Sequence, residues 1–254
     1  MSQRLNYKLE GDGETIVLIH GLFGNLDNLG LLARELKSHY QVISIDLRNH
    51  GLSFHSAQHN YALMAQDVAD LLQHLSITSA TIIGHSMGGK VAMKMTQQPH
   101  HTIQSLIVLD MAPVSYTTRR HDAVFAGLQA VQAQRPSSRN QALDILAMHI
   151  KDEGVRQFLS KSLIKEKDVF SWRFNVQALL DNYHFIIGWE PITPTAIPTL
   201  FIKGGDSDYL VAEYQTEIQA QFSQAKAHII ANTGHWLHAE KPNEVLRVIN
   251  KFLN

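Results

Sequence analysis

The stretch TIIGHSMGGK, from Thr81 to Lys90, joins a short apolar run to a serine that stands between two glycines. Serine fills a core poorly, and glycine is unfavourable inside a strand or a helix. The spacing Gly84-x-Ser86-x-Gly88 therefore indicates a constraint on the backbone rather than on side-chain volume. It is typical of a sharp strand-to-helix turn that lifts a serine hydroxyl above a sheet, with glycines two positions away on either side.

The segments on both sides of this stretch alternate between buried-strand and amphipathic-helix patterns. Strand patterns lie within residues 14–21, 42–46, 80–86, 104–113, 197–208 and 227–235. Helical patterns lie within residues 28–37, 64–75, 88–98, 212–222 and 242–253. Strands that alternate with helices predict the α/β class, with a mostly parallel, doubly wound sheet covered on both faces.

This alternation stops between residues 114 and 197, where helical patterns follow one another without strands. Most connections between elements are about 4–6 residues long, so an insertion of this length is expected to form a unit of its own. The sequence thus predicts a core domain from residues 1–113 and 198–254. A helical cap or lid, residues 114–197, is inserted after the strand that ends at Asp110 and is expected to cover Ser86.

The composition excludes several function classes. The chain has 254 residues, a formal net charge of −1 and no cysteine. A near-neutral charge gives no electrostatic reason to expect nucleic acid as a partner. The absence of cysteine excludes disulfides and thiolate sites. The histidines are scattered and predict no metal site, and we expect no cofactor. The partner is expected to be a small molecule, bound by a monomer or a small homo-oligomer.

The membrane and the secretory pathway are not expected either. No uninterrupted apolar run approaches the length of a membrane span. The N-terminal residues MSQRLNYKLEGDG lack the apolar segment of a secretory signal, so we expect a cytoplasmic location.

An elbow serine needs a base and an oxyanion hole. In this kind of site the base follows the nucleophile and the acid in the chain. Gly234-His235, between a strand and the last helix, makes His235 the expected base in preference to His238. The oxyanion hole needs two backbone N–H groups. We expect them from Met87, after the serine, and from Leu22 in the loop HGLFGN.

Together these motifs resemble those of a known enzyme superfamily. Over essentially its whole length the chain resembles the α/β-hydrolase superfamily, and within it the YbfF-type bacterial esterases. The matching stretches are HGLFGNLDNL, DLRNHGLS, GHSMGGKVAM, VLDMAPV and GHWLHAEKP. The resemblance implies a carboxylesterase with a catalytic triad and a helical lid. Its substrates would be acyl esters and, as a second class, acyl-CoA thioesters.

Two loops contain candidates for the acid of the triad. The spacing Gly-x-x-Asp after the penultimate strand offers Asp208, with Asp206 as a second candidate in the same loop. The resemblance to the YbfF-type esterases instead implies Asp110, with Ser207 joining the hydrogen bonds around His235. Both loops follow neighbouring strands, so either acid could reach the imidazole. We favour Asp110 and keep Asp208 as the alternative.

Two other readings remain open at the level of sequence. The same triad would serve a cofactor-free haloperoxidase (perhydrolase) or a C–C bond hydrolase. A non-catalytic binding protein with a hydrolase fold is the third reading, although nucleophile, base and candidate acids are all present. The leading hypothesis is a serine esterase that forms an acyl-enzyme on Ser86.

Overall fold

A computed structural model describes residues 4–99 and 102–254 of the chain. Nine strands lie in these ranges: β1 (Tyr7–Glu10), β2 (Thr15–Ile19), β3 (Gln41–Ile45), β4 (Ser79–His85), β5 (Thr102–Leu109), β6 (Leu163–Glu166), β7 (Val169–Trp172), β8 (Thr199–Gly204) and β9 (Ala225–Ile230). The same ranges contain eleven α-helices: α1 (Gly30–Leu36), α2 (Tyr61–His74), α3 (Met87–Met95), α4 (Asp122–Gln134), α5 (Arg139–Ala147), α6 (Glu153–Ser160), α7 (Val176–Asp181), α8 (Tyr183–Ile187), α9 (Gln215–Gln221), α10 (Leu237–Glu240) and α11 (Pro242–Leu253).

The central sheet confirms the predicted α/β class. In the described residues its seven strands have the order β1-β3-β2-β4-β5-β8-β9. Strands β3, β2, β4, β5, β8 and β9 are parallel to one another, and β1 pairs antiparallel with β3 at the edge. The sequence patterns missed β1, because three of its four residues are exposed and no apolar run marks it.

The two faces of the sheet carry separate apolar clusters, as a doubly wound sheet requires. Along β2, Val17 and Ile19 join the cluster under α2 and α3, whereas Ile16 and Leu18 join the cluster under α1 and α11. All of β2 is buried. Strands covered on both faces are apolar throughout rather than alternating, and this explains the continuous apolar runs in the sequence.

The turn between β4 and α3 leaves no room for side chains at its glycines. A Cβ on Gly84 would lie 2.2 Å from the carbonyl oxygen of Gly88. A Cβ on Gly88 would lie 2.3 Å from the oxygen of Ile19 and 2.4 Å from that of His20. The end of β2 therefore presses directly on the start of α3. The two glycines are required by backbone contact, as the spacing predicts.

The segment between β5 and β8 contains five helices and one hairpin among its described elements. The expectation of helices without strands is wrong here, because β6 and β7 pair antiparallel, with Leu163 opposite Trp172. Each strand has only four residues, too short for a clear alternating pattern. The hairpin is anchored at Trp172, whose buried indole N–H donates to the carbonyl of Leu128 on α4 at 3.0 Å.

Lys90 ties this segment to α3. Its side chain is fully buried, and Nζ donates to the carbonyls of Ile187 (3.2 Å) and Gly188 (2.9 Å) at the C-terminal end of α8. The ammonium also lies 4.7 Å from the ring centroid of Tyr116 and 5.9 Å from that of Trp189. Burial disfavours the charged form and lowers the pKa of Lys90 from its usual 10.5 to about 7.

We expect Gly88→Ala to destabilise the fold strongly, because the new methyl group would clash with two carbonyl oxygens of the β2 end. The matched control is Gly30→Ala, also in a helix, where an added Cβ has no neighbour within 4 Å. This control is expected to raise the free energy of unfolding by about 0.5–1 kcal/mol. Urea unfolding measures the free energy of unfolding of both variants. Equal changes in the two would contradict the packing of Gly88 against the end of β2.

The titration of Lys90 gives a second prediction. Between its folded pKa and its higher unfolded pKa, the unfolded chain holds one more proton, so the free energy of unfolding rises with pH. The rise should extend from about pH 7 to about pH 10. In Lys90→Met this rise should be flattened relative to the wild type. Urea unfolding across that pH range measures the difference, and parallel curves for the two proteins would refute it.

Candidate active site

Ser86 occupies a strained position at the turn between β4 and α3. Its backbone has φ 54° and ψ −122°, a conformation that residues other than glycine rarely adopt. The surrounding hydrogen bonds hold it there. The Ser86 N–H donates to the carbonyl of Leu109 at 3.0 Å, and the Ser86 carbonyl accepts from the Gly89 N–H at 2.8 Å. The hydroxyl is thereby displayed at the carboxyl edge of the sheet.

His235 and Asp110 continue from this hydroxyl in one chain of hydrogen bonds. His235 Nε2 lies 2.9 Å from Ser86 Oγ, and its Nδ1 lies 2.7 Å from Asp110 Oδ2. Because a carboxylate accepts, Nδ1 carries the proton. Nε2 is then left with a lone pair that can accept the serine proton. The arrangement matches a nucleophile, a base and a group that orients the base.

The carboxylate of Asp110 is fully buried, and donors surround it. Oδ1 accepts from the Gly204 N–H at 3.0 Å, and Oδ2 accepts from both the Ser207 hydroxyl and His235 Nδ1–H. Asp110 directly follows β5 and has a left-handed φ of 53°. A buried carboxylate needs such partners, since an unpaired charge is costly in the interior.

The alternative acid lies elsewhere. The side chain of Asp208 is 67% exposed, and it forms an ion pair of 2.5 Å with Arg120 Nη1. This hydrogen bond lowers the pKa of Asp208. Asp206 is exposed, and its N–H donates to the carbonyl of Thr233. The structure places Asp110, and neither Asp206 nor Asp208, against His235 Nδ1.

The two expected oxyanion donors flank the serine. Met87 is the first residue of α3, so its N–H is one of the helix's unpaired N-terminal donors. The loop after β2 passes close by, since a Cβ on Gly21 would lie 3.2 Å from Ser86 Cβ. Within the described part of the chain, neither the Leu22 N–H nor the Met87 N–H has a hydrogen-bond acceptor.

Two buried histidines brace the loop that carries Leu22. The Phe23 N–H donates to His50 Nε2 at 3.1 Å, while His50 Nδ1–H donates to the carbonyl two residues earlier. His20 Nε2 likewise accepts from the Leu47 N–H at 3.1 Å. Both rings must be neutral to accept at Nε2, and burial lowers the pKa of each. No sequence pattern revealed these backbone partners.

Tyr209 and His85 hold the imidazole of His235 in place. The Tyr209 ring stacks on His235 with centroids 4.0 Å apart and planes 24° apart. His85 Nε2 lies 2.9 Å from the His235 carbonyl oxygen, to which it donates. Sequence reasoning missed both residues. His85 sits inside the motif that contains Ser86, which was the available signal, whereas Tyr209 lies in the loop of the candidate acids.

Two spaces open on Ser86. A cleft of about 220 Å³, which we name the large cleft, is lined mainly by apolar side chains, among them Val155, Phe158 and Trp236, and it also contains His235. A chamber of about 30 Å³, which we name the small chamber, lies toward Met87 and α8. Residues of the segment between β5 and β8 therefore line both spaces and face the serine.

Across residues 4–99 and 102–254, no three His, Asp or Glu side chains converge in a way that could hold a metal ion. No helix in these ranges combines the length and the apolar character that crossing a bilayer requires.

Known proteins resemble this chain over most of its length. A family model of the alpha/beta hydrolase fold matches residues 14–242. Esterase YbfF of Escherichia coli (strain K12) is 50% identical over 239 residues, which cover 94% of this chain and 92% of that protein. The sn-1-specific diacylglycerol lipase ABHD11 of Mus musculus is 35% identical, over 98% of this chain and 85% of that protein.

A solved structure agrees as well. The chain superposes on a marine microorganism esterase with a TM-score of 0.92 and 32% identity, covering 99% of this chain and all of that one. The chain therefore belongs to the α/β-hydrolase family. Within that family it is an enzyme of the esterase and lipase type.

The position of Asp110 predicts a ranking of three variants. Asp110→Asn should lower kcat by about 10⁴-fold, because an amide no longer fixes the imidazole in the tautomer that accepts the serine proton. Ser207→Ala should have an intermediate effect, since the hydroxyl tunes the geometry without carrying charge. Asp208→Asn should change kcat little. Ester hydrolysis assays measure all three, with melting temperatures as the folding control. A larger loss of kcat for Asp208→Asn than for Asp110→Asn would show that Asp208 is the acid of the triad.

Proposed function

We propose that the protein hydrolyses carboxylic acid esters through an acyl-enzyme on Ser86, with His235 as general base and Asp110 as the acid of the triad. The hydrogen-bonded chain from Ser86 Oγ through His235 to Asp110 supports this most directly, with heavy-atom distances of 2.9 Å and 2.7 Å. The names of the similar proteins, esterase and lipase, point to the same reaction class.

Acylation begins with proton transfer. His235 Nε2 takes the proton of Ser86 as Oγ attacks the ester carbonyl, and the carbonyl oxygen becomes an oxyanion. The N–H groups of Leu22 and Met87 receive this charge. In the described part of the chain neither N–H has another acceptor. Loss of one such donor typically costs about 10²–10³ in rate. The positive end of α3 adds to the stabilisation.

His235 then returns its proton to the leaving alcohol, and the acyl group stays on Ser86. In the second half, water occupies the position of the alcohol and gives its proton to His235. Attack on the acyl-enzyme releases the carboxylic acid and restores the Ser86 hydroxyl. Throughout, Asp110 stabilises the imidazolium that forms, while Ser207 and Gly204 keep the carboxylate in place.

Acyl-CoA thioesters are the second substrate class that we propose. The same acyl-enzyme forms when a thiolate leaves instead of an alkoxide, so the triad needs no change. Arg120 lines both spaces that open on Ser86 and supplies a cation for a phosphate-bearing leaving group. A panel of acyl-CoA thioesters beside the matching p-nitrophenyl esters tests this class separately from ester hydrolysis.

We expect Ser86→Ala to lower kcat for p-nitrophenyl esters by at least about 10⁴-fold, because no other group can carry the acyl chain. The control is Ser223→Ala, at an exposed serine outside the site, which should keep its rate. A fluorophosphonate probe should label the wild type and the control but not Ser86→Ala. Ester hydrolysis by Ser86→Ala at a rate within tenfold of the wild type would show that Ser86 is not the nucleophile. Absence of labelling in the wild type would favour a binding protein.

A further inference from the structure

The two spaces at Ser86 differ in the reacting groups that they contain. The large cleft includes His235 and Trp236. The small chamber includes Met87 and Met111 but not His235. Ser86 and Leu22 border both spaces. An ester bound at Ser86 thus has one larger space that contains the base and one small space that does not.

The positions of the reacting groups assign the acyl half and the alcohol half of the ester to different spaces. The carbonyl oxygen must face the N–H groups of Leu22 and Met87. The leaving oxygen must face His235, because that residue protonates it. Only the direction away from His235 then remains for the acyl substituent. The alcohol therefore lies in the large cleft, and the acyl chain points into the small chamber.

We propose that the small chamber is the acyl pocket and that it restricts this enzyme to acyl groups of about two to four carbons, with Ile186 as the residue that limits the length. This assignment rests on the proposed function. A chamber of about 30 Å³ holds roughly two water-sized groups, since one such group needs about 10–15 Å³. The large cleft, at about 220 Å³, accepts a much bulkier alcohol.

Residues of α2 and α8 line the small chamber and contact each other in its wall. Tyr61 and Ile186 are both buried, and the Tyr61 hydroxyl donates to the carbonyl of Ile186 at 2.5 Å. The Tyr61 ring also packs edge-to-face on Trp189, with centroids 5.9 Å apart. The wall is therefore fixed by a hydrogen bond and by packing. Because the bond uses the backbone of residue 186, truncating that side chain enlarges the chamber without removing the bond.

The experiment uses two series of substrates. In the first, p-nitrophenyl esters from acetate to octanoate vary the acyl chain at constant leaving group. In the second, acetate esters of graded alcohols vary the leaving group at constant acyl chain. In the wild type we expect kcat/KM to fall at least tenfold between butyrate and octanoate. In Ile186→Ala the octanoate-to-acetate ratio should rise at least tenfold, and in the milder Ile186→Val it should rise less.

Val155→Ala is the matched control, because Val155 lines the large cleft but not the small chamber. It should alter the ranking of alcohols and leave the octanoate-to-acetate ratio as in the wild type. Equal turnover of acetate and octanoate by the wild type would overturn the proposal. So would a shift of the acyl series by Val155→Ala with none by Ile186→Ala. If no ester is turned over and the fluorophosphonate probe fails to label Ser86, the proposed function itself falls.

Discussion

The site depends on one buried carboxylate. Asp110 is fully shielded from water, and an isolated charge in that position would cost several kcal/mol. Its oxygens are instead matched by the Gly204 N–H, the Ser207 hydroxyl and His235 Nδ1–H. These donors come from the end of β8, from the loop after it and from the loop after β9. Satisfying this charge therefore brings the chain segments that follow β5, β8 and β9 together at Ser86.

Backbone strain is concentrated at the same edge of the sheet. Phe23, Asn49, Ser86 and Asp110 all have left-handed φ values between 53° and 65°. They follow the carboxyl ends of β2, β3, β4 and β5, four adjacent strands. Such conformations cost about 1–3 kcal/mol each and persist only where the surroundings fix them. Hydrogen bonds fix them here. The Phe23 N–H donates to His50 Nε2, and the N–H groups of Asn49, Ser86 and Asp110 donate to the carbonyls of Phe54, Leu109 and Ile202.

Much of the fold and the site was accessible from the sequence because backbone constraints leave marks in it. The glycines around Ser86 and the Gly-His junction before the last helix located the proposed nucleophile and base. The acid stayed ambiguous, because two aspartates follow the neighbouring strands β5 and β8. Only the tertiary structure shows that Asp110 is buried against His235 while Asp208 faces solvent. Edge strand β1 and the β6–β7 hairpin were missed, since each strand has only four residues and weak alternation.

The ion pair between Arg120 and Asp208 joins the segment before α4 to the loop after β8, at the border of both spaces that open on Ser86. An exposed pair of this kind is worth only about 0–1 kcal/mol, and dissolved salt weakens it further. Thermal motion alone therefore breaks it readily. Because Asp110 rather than Asp208 accepts the hydrogen bond from His235, breaking this ion pair removes no hydrogen bond of the proposed triad. Dissolved salt therefore weakens the exposed pair of Arg120 and Asp208 far more than it weakens the buried hydrogen bonds of Asp110.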